Sequence, residues 1–221
     1  MSNELLSVLK HEVHYIALSI MLIVYIAKVF WILRFKPMVE RTPSKGSHSR
    51  AITASFFCIA TPWGMESSRK KWYKWVEFAV FHIGIGLAIF LSFYISFSGP
   101  EWSMAGVSLN VFQIVFLLSF LISVIRLGRR MFSPVNKAIS HPDDYFSIAM
   151  MVVWFGIATL FLFEQTNTLY MGLFLATTAF LIAYVPFSKM SHYIMWPFTR
   201  YYFGKHFGHR GVYPKVNTKK Y

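Results

Sequence analysis

Two histidines are candidate functional residues because they lie in or beside apolar runs, where polar side chains are costly. His82 falls inside the run 75–97, and His192 follows the run 169–189. Two imidazoles on different helices at similar membrane depth are the ligands that a six-coordinate haem b needs, one for each face of the porphyrin. The alternative is that His82 makes an ordinary hydrogen bond between helices and that His192 only lies at the membrane surface.

The residues around the two histidines also fit a bound haem. Gly84 and Gly86 follow His82 and leave room for a flat macrocycle to approach the helix backbone. Lys28 is a candidate for a contact with a haem propionate, although a lysine near a helix end also extends its ammonium to the surface. Four further cationic side chains near the same membrane face are candidates for propionate contacts: Arg126, Arg129, Lys74 and Lys189.

The elements that position these residues are predicted to be membrane-spanning helices. The 221-residue chain is 56% hydrophobic and only 14% charged, whereas soluble domains contain about 25% charged residues. A helix needs about 20 mostly apolar residues to cross a bilayer. Five runs qualify, namely 13–33, 75–97, 109–125, 145–163 and 169–189. We therefore predict an all-α integral membrane protein with five transmembrane helices, the fourth capped by His141-Pro142-Asp143-Asp144.

Lysine and arginine are unevenly divided among the connecting segments. The connection 34–74, the connection after the third run and the C-terminal tail are rich in both, whereas 98–108 and 164–168 contain neither. Because these residues collect in cytoplasmic loops, we predict that the N-terminus lies outside and the C-terminus in the cytoplasm. A multi-pass protein of the cell inner (cytoplasmic) membrane explains the net charge of +13 without nucleic acid.

The domain organisation follows from these runs. Residues 1–202 are predicted to form one membrane domain that includes the cytoplasmic loop 34–74, and residues 203–221 a basic cytoplasmic tail. Within the loop, the apolar stretch 51–61 is too short to cross the membrane. It predicts an interfacial or buried helix at the cytoplasmic surface that ends at Thr61-Pro62. This helix either docks a soluble partner or simply rests on membrane lipid, and the sequence favours neither.

Three segments of the chain resemble the haem b membrane subunit (gamma subunit) of respiratory nitrate reductase, and they occur in the order of that family. The likeness covers about residues 74–202, while the long loop 34–71 is more like the wider family of heterodisulfide-reductase-like and sulfite-reductase-associated cytochrome b subunits. The segments are Phe81-His82-Ile83-Gly84-Ile85, Arg129-Arg130-Met131-Phe132-Ser133-Pro134, and Pro186-Phe187-Ser188-Lys189-Met190-Ser191-His192 followed by Trp196-Pro197.

The resemblance implies a cytochrome b that exchanges electrons with quinone and is anchored beneath cytoplasm-facing iron–sulfur and catalytic subunits, in a hetero-oligomer. Members of the nitrate reductase family hold two haems, and His82 and His192 match the histidine pair of the haem near the cytoplasm. At the positions of the other pair this chain has Ser92 and Phe174, neither of which replaces an axial imidazole. One haem b is therefore expected.

A second haem remains conceivable by depth alone, with His14 and either Met171 or Met104 as its ligands. The basic residue that the family places after the second helix is also missing, since 98–108 offers only Glu101 and Trp102. Quinone is therefore expected in the inner half of the membrane, unless another subunit completes an outer path.

The expected function is a membrane-embedded cytochrome b subunit that relays electrons between the quinone pool and cytoplasm-facing subunits through one bis-His haem b. On its own the chain is expected to complete no reaction. The alternative is a haem-free membrane anchor for a soluble redox complex, held through the loop 34–71 and the tail. A transporter or channel would need more ionisable residues near the bilayer midplane than His82 provides.

Overall fold

The computed structural model describes residues 2–38, 46–98 and 102–207, and within these ranges the chain is helical and contains no β-strand. Most of the predicted basic tail lies outside the described residues. The same holds for Arg41 and Lys45 of the predicted cytoplasmic loop and for Glu101.

Five helices are long and apolar enough to cross a membrane, as the sequence predicts. In the first, α1 (Asn3–Val8) and α2 (His14–Arg34) are joined by a π-helical turn, Leu9–Val13. The other four spanning helices are α5 (Trp72–Phe97), α6 (Gly106–Phe132), α8 (Pro142–Phe163) and α9 (Thr168–Tyr184, extended to Phe187 by a 3-10 turn). The remaining helices are α3 (His48–Phe57), α4 (Glu66–Lys70), α7 (Pro134–Ala138) and α10 (His192–Phe207).

The described chain divides into two compact units. Unit 1 contains the described residues of 1–25 and 79–190, and unit 2 contains those of 26–78 and 191–221. His82 therefore belongs to unit 1 and His192 to unit 2, and each is described within its own unit.

The core of unit 1 combines aromatic side chains with leucine, isoleucine, alanine and methionine. Phe116, Phe155, Phe161 and Phe174 are completely buried. The rings of Phe161 and Phe174 stack with centroids 5.6 Å apart and an interplanar angle of 12°. Trp102 stacks on Phe161 with a centroid distance of 5.5 Å. The Phe161–Phe174 pair adds specific geometry to the apolar contact between α8 and α9.

The N-terminus of α8 is capped as predicted. Its first residue is Pro142, which needs no hydrogen-bond partner for its nitrogen at this position. The His141 backbone N–H donates to Asp144 Oδ2 at 2.8 Å, and the His141 ring accepts from the backbone N–H of Asp143 at 3.4 Å. These bonds satisfy backbone groups that the helix leaves without partners, and they fix where α8 begins.

In unit 2, the short helix α3 packs against α10, and the close approach depends on Gly204. A Cβ on Gly204 would lie only 2.4 Å from Ile52 Cα, so the two backbones touch there. Phe56 and Trp196 pack edge to face with centroids 5.1 Å apart. The prediction of a short helix is confirmed: α3 continues through the 3-10 turn Cys58–Ala60 and ends before the extended residue Thr61.

Candidate functional site

His82 lies on a face of α5 that has open space beside it. Its imidazole is half-buried, and the ring of Phe81 lies edge-on to it with centroids 5.7 Å apart. Gly86 follows one turn later on the same helix face. A Cβ built on Gly86 meets no atom within 4 Å. A flat group bound at His82 therefore has access to the backbone at Gly86.

Gly84 faces a different neighbour and serves helix packing. A Cβ on Gly84 would lie 2.1 Å from Ser119 Oγ and 3.2 Å from the Phe155 ring. The Ser119 hydroxyl in turn donates to the carbonyl of Val80 at 3.3 Å. The contact between α5 and α6 therefore already requires a glycine at position 84, whether or not a ligand binds at His82.

Two of the predicted propionate contacts, Arg126 and Arg129, lie on α6 in unit 1. The Arg126 guanidinium carbon lies 4.6 Å from the centroid of the Phe81 ring, which places a positive charge beside the residue that precedes His82. Arg129 lies three residues along α6, on the same side of the helix, and is half-buried. Both cations are therefore held close to the end of the apolar span.

Lys189 has a carboxylate partner already. Its ammonium donates to Asp144 Oδ2 at 3.0 Å, and its backbone N–H donates to Asp143 Oδ2 at 3.1 Å. Asp143 also accepts a hydrogen bond from the Tyr184 hydroxyl. The Arg130 guanidinium lies 3.5 Å from Asp144. A haem propionate would compete with Asp144 for Lys189, so this lysine is a weaker candidate than the arginines of α6.

In unit 2, His192 is the first residue of α10 and its side chain is exposed. Ser191, directly before it, is buried, and its hydroxyl accepts a hydrogen bond from the Lys28 ammonium at 3.0 Å. The sequence left open whether Lys28 reaches the surface or serves a cofactor, and the structure places its charge next to the candidate ligand. Lys74, in the first turns of α5, is exposed.

Positions 92 and 174, which correspond to the further histidines of nitrate reductase gamma subunits in the resemblance described above, are buried by packing in unit 1. Ser92 is completely buried, and its hydroxyl donates to the carbonyl of Ile89 at 2.8 Å. Phe174 is completely buried in its stack with Phe161. Neither side chain offers a lone pair suited to haem iron.

His14, the alternative ligand, is 1% exposed and carries a nitrogen without a partner. Its Nδ1 donates to the carbonyl of Leu9 at 3.0 Å, across the π-helical turn. Its Nε2 is buried and makes no hydrogen bond to any described residue. Met171 is also buried in unit 1. Within the described ranges, no three His, Cys, Asp or Glu side chains come together as a metal site.

Sequence reasoning missed two of these arrangements. The hydrogen bonds of Lys189 and Tyr184 to the acidic cap of α8 join residues more than forty positions apart, and no local sequence pattern predicts them. The bond between Lys28 and Ser191 likewise joins distant segments, but a lysine inside an apolar run was a signal that it has a specific partner.

In comparisons with known proteins, no protein-family model, curated protein or solved structure matches the chain. The resemblance to nitrate reductase gamma subunits thus depends on the three sequence segments alone.

Proposed function

We propose that the chain is a membrane-embedded cytochrome b subunit of a respiratory redox complex. It relays electrons through one bis-His haem b between the quinone pool and cytoplasm-facing iron–sulfur or catalytic subunits. The observation that supports this best is the open face of α5, where a polar, half-buried His82 and the unobstructed backbone at Gly86 lie one turn apart. A histidine in an apolar span beside such a space is suited to a planar ligand.

In this proposal His82 and His192 each present a neutral imidazole nitrogen to the iron. Arg126 and Arg129 offer positive charge to the propionates from α6, and Lys28 brings a further charge beside His192. A bound haem b supplies one-electron transfer, while the chain sets its position and its potential through these ligands and charges. Ser92 and Phe174 provide no axial ligand pair for a second haem, so one haem per chain is proposed.

The orientation we propose puts the N-terminus outside and the C-terminus in the cytoplasm. Its support is the concentration of Lys and Arg in 34–74, in the connection after α6 and in the tail. The soluble redox partners then dock on the same side as His192. A C-terminal green fluorescent protein fusion should fluoresce and a C-terminal alkaline phosphatase fusion should be inactive. The opposite pair of results would refute this orientation.

The central test counts haems in the complex purified from membranes. Reduced-minus-oxidised spectra and a pyridine haemochrome assay should give one b-type haem per chain. His82→Ala and His192→Ala should each abolish it, whereas His11→Ala, an exposed histidine near the N-terminus, should retain it. Circular dichroism and gel filtration of each variant establish that the protein is folded.

Three results would contradict the proposal. Haem retained in either ligand variant would show that the histidine assignment is wrong. Two haems per chain would refute the argument from Ser92 and Phe174, and loss of one of them in His14→Leu would identify the second site. A complex without b-type haem in which the wild-type chain still holds its soluble partners would leave the haem-free membrane anchor as the function.

A further inference from the structure

A groove of about 530 Å³ opens on the surface of unit 1 where the end of α6, the short helix α7 and the start of α8 meet. Most of its lining is apolar, and its polar members are a lysine and a tyrosine. The lining residues are Leu127, Met131, Lys137, Tyr145, Phe146 and Ala149.

The lysine of this groove has no counter-charge among the described residues. Lys137 is exposed, and its ammonium makes no hydrogen bond or ion pair with any residue in the described ranges. Arg130, near the end of α6, differs because its guanidinium donates to Ser140 Oγ at 2.8 Å and lies 3.5 Å from Asp144. The groove therefore combines apolar walls with one cation that has no counter-charge.

The position of the groove near the ends of two membrane-spanning helices determines which kind of ligand can occupy it. It lies at the basic end of α6 and the capped start of α8, where apolar helix surface gives way to charged loop. Met131 and Phe146, on its walls, are 45% and 44% exposed. At this boundary in a bilayer, apolar walls meet acyl chains and an ammonium meets head-group phosphates.

We propose that this groove binds an anionic phospholipid. Lys137 contacts the phosphate, and an acyl chain lies along Leu127, Met131 and Phe146. Charge complementarity selects the lipid, because the uncompensated ammonium favours a head group with net negative charge over a zwitterionic one. The inference is independent of the haem, since it uses no residue of the proposed ligand set.

The test measures lipid retained by the full-length protein, purified in mild detergent and supplied with either phosphatidylglycerol or phosphatidylcholine. Native mass spectrometry should show preferential retention of phosphatidylglycerol. Lys137→Gln should lower its apparent affinity about fivefold, as expected for one lysine at an anionic surface, and Lys137→Arg should restore it. Ala149→Phe, which fills the groove while keeping the charge, should also lower retention.

The control is Lys71→Gln, which removes an equally exposed lysine from unit 2 and should leave retention unchanged. Equal losses in Lys71→Gln and Lys137→Gln would overturn the proposal, because they would show attraction by overall charge. Equal retention of the two lipids would overturn it as well. So would a bound mass that corresponds to a quinone or to a second copy of the chain.

Discussion

Buried hydroxyl groups in unit 1 are satisfied mostly by carbonyls of their own helices. Ser96 donates to the Ser92 carbonyl at 2.8 Å, and Ser123 donates to the Ser119 carbonyl at 2.9 Å. Such local bonds let small polar residues lie in an apolar layer without help from another helix. His14 departs from this pattern, since its Nε2 has no described partner and its burial costs about 1–3 kcal/mol.

The two glycines near His82 should respond differently to the same substitution. Gly84→Ala brings a Cβ to within 2.1 Å of Ser119 Oγ and should lower the free energy of unfolding by about 1–3 kcal/mol. Gly86→Ala meets no atom within 4 Å and should leave the haem-free protein as stable as before or slightly more so. Unfolding by dodecyl sulfate, followed by circular dichroism, measures both. Equal effects would contradict the assignment of Gly84 to helix packing.

If the chain holds the proposed haem, Lys28→Met should lower the midpoint potential of that haem. A positive charge near the iron favours the reduced form, so its removal costs the reduced form roughly 1 kcal/mol of interaction. Redox titration of the purified complex measures the shift, and Lys36→Met, an exposed lysine beyond the end of α2, is the control. A potential that stays constant or rises in Lys28→Met would show that the charge of Lys28 does not stabilise the reduced haem.

At the scale of helices, the spans were predictable because their length and apolar character are continuous along the chain. Predicted runs such as 75–97 and 145–163 lie inside helices whose ends extend only slightly further, at Trp72 and Pro142. Helix ends are less predictable, since capping groups and adjoining turns decide them. The helix end at Thr61-Pro62 and the helix cap at His141 could be predicted because each depends on residues that are adjacent in the sequence.

Other helical features have no local signal. The first spanning helix starts at Asn3 rather than near residue 13, and it passes through the π-helical turn Leu9–Val13. Many of its residues before position 13 are polar, so hydropathy alone does not mark them as part of a spanning helix. The candidate site shows the same limit. His82 and His192 could be identified from the sequence as candidate ligands. The hydrogen-bond partners of Lys28 and Lys189 could not, because they depend on tertiary contacts.

The acidic cap of α8 should contribute to stability beyond its own helix. Asp144→Asn weakens the bond to the His141 N–H and the ion pairs with Lys189 and Arg130, so the free energy of unfolding should fall by at least about 1 kcal/mol. Glu66→Gln is the control, because its ion pair with Lys70 at 2.7 Å is fully exposed on α4 and should matter little. Equal stability of Asp144→Asn and the parent protein would contradict this role.

At the scale of the whole molecule, the position of His82 limits what the proposed single haem could do. From His82 to the end of α5 at Phe97 the helix runs roughly 22 Å, at 1.5 Å per residue. In the proposed orientation that length is the outer part of the span. Ser92 and the Phe161–Phe174 stack leave it without a second redox centre from the family's histidine pair.

Quinol oxidation by the complete complex should therefore move no net charge across the membrane. If quinol reacts in the inner half, its protons leave on the cytoplasmic side, where the electrons also arrive. Complex in sealed liposomes, oriented with its soluble subunits outward and given quinol and an electron acceptor, should turn over without changing a potential-sensitive dye. A potassium gradient with valinomycin serves as the control that these vesicles hold a potential. A dye response that an uncoupler abolishes would show charge crossing the membrane, and would require a second redox centre or a quinol site near the outer surface.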